Sequence, residues 1–134
     1  VVTMEDYLGI ENRFIAVTRA ILEAAGCTYV TLGYVEAIRG KVVKEGMRVR
    51  VQQIDHCIRL VLRGKAWIVF INSSKGVQFD FDEDVMYMHL FCRIPDEQLR
   101  EIVESRGLYL DPRVKKVVMC YDDRIEIYTF EKKQ

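Results

Sequence analysis

Lys44, Arg48, Arg59 and Arg63 are spaced by 4, 11 and 4 residues, each close to a whole number of helical turns. On one helix they would share a face. Such a row could neutralise phosphates along a nucleic-acid backbone or dock on an acidic protein surface, although an ordinary solvated helix face has the same pattern. This basic segment contains no run of stacking aromatics and no nucleic-acid signature, which favours a protein partner over nucleic acid.

Asp80, Asp82, Glu83 and Asp84 supply oxygen atoms of the kind hard cations take. A strand would place Asp80 and Asp82 on one face. The dipeptide Asp122-Asp123 stands where two strands would meet, and paired aspartates at a hairpin tip opposite a second carboxylate strand resemble the two-metal sites of palm-type nucleotidyl transferases. Asp-Asp is equally a tight-turn dipeptide, and acids between strands are a common solubility device. The sequence therefore points to no metal and no cofactor, and a divalent-metal phosphoryl-transfer enzyme using Asp80, Asp82, Asp122 and Asp123 ranks third among the readings.

Nucleophile chemistry has less support. Cys27, Cys57, Cys92 and Cys120 lie about 30 residues apart with no CxxC pair, which reads as free thiols in a reducing compartment. His89 and Cys92 would fall on opposite faces of a strand, and His56 and Cys57 are neighbours that point apart on a helix. Ser73, Ser74 and Ser105 sit in no GxSxG elbow, and Ser73-Ser74-Lys75-Gly76 lacks the glycine spacing of a phosphate loop.

The bulk numbers fit a globular chain. Of the 134 residues, 50% are hydrophobic and 30% charged, and 20 basic side chains balance 20 acidic ones. No overall field draws such a molecule to nucleic acid or an anionic membrane. Charge is nevertheless segregated: eight basic residues face two acids between Arg39 and Lys65, a net of +6, while seven acids face two arginines between Asp80 and Glu101, a net of −5. No basic-then-apolar leader and no apolar run of roughly 18 residues is present, so a cytoplasmic location without membrane contact is expected.

These groups must be positioned by elements that the periodicities outline. Tyr7, Ile10, Phe14, Val17, Ile21 and Ala24 form one helical stripe that Gly26 ends. Thr28 to Val35 reads as a strand turning at Arg39-Gly40 into a short partner at Lys41 to Val43. Val43 to Arg63 alternates like a strand at its start and keeps helical spacing throughout. Its polar stripe of Lys44, Arg48, Gln52, Asp55, Arg59 and Arg63 predicts one basic helix, 44–63. Strands follow at Ala66 to Asn72, Val77 to Phe81 and Val85 to Arg93. Pro95 and Gly107 bracket a third helix, and Val114 to Tyr121 with Arg124 to Phe130 form a hairpin.

The resulting fold is α+β: a single domain over 1–134, with an antiparallel sheet (a meander plus a C-terminal hairpin) packed with about three helices. Without the last hairpin, the element order resembles that of profilin-like and roadblock-like scaffolds, which bind other proteins. The likeness implies binding only by analogy. The expected function is a non-enzymatic protein-interaction module, of inhibitor, immunity, adaptor or viral accessory type. Lys44, Arg48, Arg59 and Arg63 would meet an acidic protein partner, and the row Val85, Tyr87, Phe91 would meet a second copy of the chain if helices leave that face open. Nucleic-acid binding through the basic helix is the alternative.

Overall fold

Thr3 opens the first helix with a reciprocal cap. Its hydroxyl accepts from the Asp6 amide at 3.1 Å, and the Asp6 carboxylate accepts from the Thr3 amide at 3.3 Å, satisfying two donors that a helix start leaves orphaned. Helix α1 runs Met4–Ala24 and stops at Gly26, whose φ of 79° is the left-handed conformation that glycine adopts at least cost. The computed structural model describes residues 3–37, 43–83, 87–108, 110, 114–121 and 124–131, with the backbone alone for 37 and 114–131.

The remaining elements are β1 (Tyr29–Ala37), β2 (Arg48–Arg50), α2 (Asp55–Leu62), β3 (Ala66–Asn72), β4 (Val77–Asp82), β5 (Tyr87–Phe91), α3 (Asp96–Glu104), β6 (Val114–Tyr121) and β7 (Arg124–Glu131). The fold is α+β. Five antiparallel strands form one sheet in the order β2-β1-β3-β4-β5, and β6 pairs with β7 as a separate two-stranded sheet. No helix among the described residues is long and apolar enough to cross a membrane.

Alternation within the strands divides the large sheet into two unlike faces. Its inner face carries Val30, Leu32, Ile68, Phe70, Phe79 and Phe81, which pack with Phe14 and Leu22 of α1 and Ile58 and Val61 of α2. Phe70 stacks on Phe79 with ring centroids 4.7 Å apart, and Phe81 meets both rings edge-on. Fully burying each such ring contributes about 2 kcal/mol. A second cluster joins Val17 and Ile21 of α1 to Val103 of α3, with Leu99 and Ile102 against it.

Two departures from the sequence reading concern the second quarter of the chain. Residues 38–42, with most of the strand expected at Lys41 to Val43, lie outside the described residues. On the edge away from β3, β1 pairs with β2, in the register Tyr29↔Arg50, Val30↔Val49 and Thr31↔Arg48. The single basic helix over 44–63 does not form. Gly46 has φ 85°, Arg48–Arg50 is extended, Val51–Gln53 is one 3-10 turn, and only Asp55–Leu62 is α-helical. Period two governs 48–50 because Val49 has an inner face to fill while both flanking arginines are exposed.

Candidate functional site

Arg59 lies in the last turn of α2 and Arg63 caps its C-terminus, one turn apart as their spacing predicts, but both point at α1. Arg59 donates through Nη1 to Glu11 Oε1 at 2.6 Å, and Arg63 donates through Nε to Oε2 at 2.8 Å and through Nη2 to Oε1 at 3.0 Å. The Arg59 Nη2 also reaches Asn12 Oδ1 at 3.1 Å, while Tyr7 donates its hydroxyl proton to the Leu62 carbonyl at 2.7 Å. Glu11 is 0% exposed. Burial pushes its carboxyl pKa up, but the hydrogen bonds and charges of Arg63 and Arg59 outweigh that and hold it below its ordinary value. The clamp joins two helices across a polar seam and uses up half of the basic row that the sequence assigned to a partner.

Lys44 and Arg48 remain exposed, in the loop before β2 and on β2 itself. They share no helix face with Arg59 and Arg63. Arg48 and Arg50 instead project from the outer face of the sheet edge, across from Thr31 and Tyr29. The Arg48 guanidinium carbon lies 4.5 Å from the Tyr29 ring centroid, a cation–π stack. Thr28, Tyr29, Arg48, Arg50, Gln52 and Gln53 line an open groove of about 620 Å³. Of its lining, Gln52 is braced by Arg19, which donates to the Gln52 carbonyl at 2.8 Å and pairs with Asp55 at 3.5 Å.

The outer face continues across β1 and β3 through an aromatic pair. Tyr34 and Trp67 are 40% and 43% exposed and meet edge-to-face at 5.1 Å, and the Tyr34 hydroxyl donates to Glu36 Oε2 at 3.1 Å. A register shift between Leu32 and Tyr34 makes this pairing possible. With Gly33 as the extra residue, Leu32 points inward, Tyr34 outward and Val35 inward again. A Cβ at Gly33 would lie 3.1 Å from Ile71 Cγ2, so a larger residue there requires the Ile71 side chain to shift by a few tenths of an ångström.

The acids expected to approach a metal lie farther across the same face. Asp80 is in register with His89 and Asp82 with Tyr87, and His89 Nδ1 is 3.0 Å from Asp80 Oδ1. Asp122 and Asp123 lie outside the described residues, and among the described residues no three His, Cys, Asp or Glu side chains converge as a metal set. Cys27 and Cys57 are buried in the inner core, and burial raises both thiol pKa values, with the Lys75 charge offsetting part of the rise at Cys27. Cys92 packs against the same core while His89 lies on the outer face, as strand alternation predicts.

Sequence reasoning missed Glu11, Arg50, Trp67 and Tyr34. Glu11 follows Tyr7 by one turn and precedes Phe14 within the apolar stripe, the one signal of an inward-facing charge. Arg48 and Arg50 flank Val49, a period-two pattern that the longer helical one masks in the sequence. No protein-family model matches the chain, and neither do curated proteins or solved structures, so the likeness in element order to profilin-like and roadblock-like scaffolds stands without a structural match.

Proposed function

We propose that this chain is a non-enzymatic protein-interaction module whose contact surface is the outer face of the sheet around Tyr34 and Trp67. The observation that carries the reading is that exposed pair. Tryptophan and tyrosine are the side chains most often found as binding hot spots, because they bury a large area at a small cost in conformational entropy. Here they stand on a sheet, already held edge-to-face, with Glu36 beside them and Arg48 farther along the outer face, opposite Thr31, to orient an approaching protein. Of the four basic residues assigned to a partner, Arg48 stands on the same outer face, opposite Thr31, and Lys44 lies in the loop leading to its strand.

The test is an affinity capture from the native host with nuclease present, followed by kinetics on the identified protein. Trp67→Ala should weaken the complex by about 2–4 kcal/mol, mostly through faster dissociation. Arg48→Glu should chiefly change the association rate and its salt dependence. A bound protein indifferent to Trp67→Ala would remove this face from consideration.

A further inference from the structure

We infer that the groove beside β2 is a binding site for the phosphodiester backbone of single-stranded nucleic acid, sharing Arg48 with the protein-binding reading but resting also on Arg50, Gln52 and Gln53, which that reading does not use. Its carrying observation is an uncompensated cation pair. Among the described residues, Arg59 and Arg63 share the Glu11 carboxylate and Arg19 pairs with Asp55, whereas Arg48 and Arg50 pair with no carboxylate. Both are exposed on one face, two residues apart on a strand, which sets their origins about 7 Å apart. Two guanidinium forks so placed can each take a phosphate oxygen pair from a neighbouring position on an extended strand.

Charge on an edge strand has a simpler use, which is to block pairing with another sheet. That role needs only charge. It does not account for the Arg48 guanidinium being stacked on the Tyr29 ring, which fixes its plane in advance of binding, nor for a groove of about 620 Å³ beside it. Gln52 and Gln53 line that groove on the braced 3-10 turn, and their side-chain amides offer both donors and acceptors to base edges. A stacked guanidinium plane with amides alongside suits splayed bases better than a duplex, whose bases are hidden in the stack.

Fluorescence anisotropy with a labelled oligouridine of roughly ten nucleotides tests the site. Over about 50–200 mM salt, the logarithm of the binding constant should fall with log salt at a slope of about −1.4, two phosphates at −0.7 each. Arg48→Glu and Arg50→Glu should each weaken binding about tenfold or more and reduce the slope toward about −0.7. Lys65→Glu changes net charge equally at the opposite end of β3 and should leave binding nearly unchanged. Circular dichroism of each variant establishes that the fold is retained. The proposal is overturned by no binding at the low-salt end, by binding that survives the double arginine reversal, by equal loss in Lys65→Glu, or by equal affinity for a duplex. Displacement by inorganic phosphate as effectively as by unlabelled oligonucleotide would also overturn it, reducing the groove to a simple anion site. Trp67→Ala protein capture is read separately, so either proposal can fail alone.

Discussion

Replacing Glu11 by glutamine keeps the shape of the side chain and removes the charge that two guanidinium groups converge on. Breaking one side of a buried ion pair costs about 3–5 kcal/mol when the remaining charge is sealed from water. Here the side chains of Arg59 and Arg63 keep 33% and 45% exposure while Glu11 keeps none, so water recovers part of the loss and the expected cost is about 2–3 kcal/mol. For a chain of this length that corresponds to a fall in Tm of roughly 10 °C. Urea unfolding at neutral pH, followed through the single tryptophan, Trp67, measures the cost directly. The pH dependence has a definite sign. Because the folded carboxyl titrates below its ordinary value, Glu11 contributes its full stabilisation above about pH 4.3 and loses it as pH falls through the folded pKa. The gap between wild type and Glu11→Gln should therefore be flat from neutrality down to about pH 5 and close below about pH 4. Replacing Glu11, Arg59 and Arg63 together by leucine should recover most of the loss, since no charge is then left unpaired. A cost below about 0.5 kcal/mol for Glu11→Gln, or a gap that widens in acid, would refute the clamp as a stabilising element.

The other expectations are more local. Gly46→Ala meets no neighbouring atom, so its cost should be the conformational one of a φ of 85°, about 1–2 kcal/mol in chemical denaturation. Asn72→Ala removes an amide that donates to the Tyr29 carbonyl and a side-chain carbonyl that accepts from Ser74 and the Lys75 amide. It should cost about 2–3 kcal/mol and increase hydrogen exchange at the Lys75 amide. Cys27 and Cys57 should react with a thiol reagent far more slowly in the native protein than in denaturant, because both are buried and their thiolates disfavoured.

What the sequence made legible was whatever a single element could announce by itself. The α1 stripe, the strand Ala66–Asn72, the helix bracketed by Pro95 and Gly107, and the two strands of the C-terminal hairpin all appear where their patterns put them. Opposite faces for His89 and Cys92 follow from alternation alone. The failure over 44–63 has a physical cause: a three-residue strand is too short to show its period against a longer helical one, and it exists only because β1 lies beside it. Glu11 was legible only as an anomaly, since nothing local says that its partners are 48 and 52 residues away. The Tyr34–Trp67 pair was further still from reach, because counting from Leu32 in twos sends Tyr34 into the core.

That last point gives the bulge at Gly33 a meaning beyond shape. One unpaired residue acts as a parity bit for the second half of β1, deciding whether Tyr34 and Glu36 or Val35 are shown to the outside. Were Gly33 paired into the ladder as an ordinary residue, alternation from Leu32 would exchange the two sides, driving a carboxylate and a phenol toward the phenylalanine cluster and stripping Trp67 of its neighbour, whereas removing Gly33 would put Tyr34 directly after Leu32 and keep each side chain on its present face. The identity of the exposed surface is thus written in which residue is left out of the ladder as much as in the residues displayed there. Deleting Gly33 should therefore keep Tyr34 beside Trp67, whereas inserting one further residue next to it should turn the second half of the strand over.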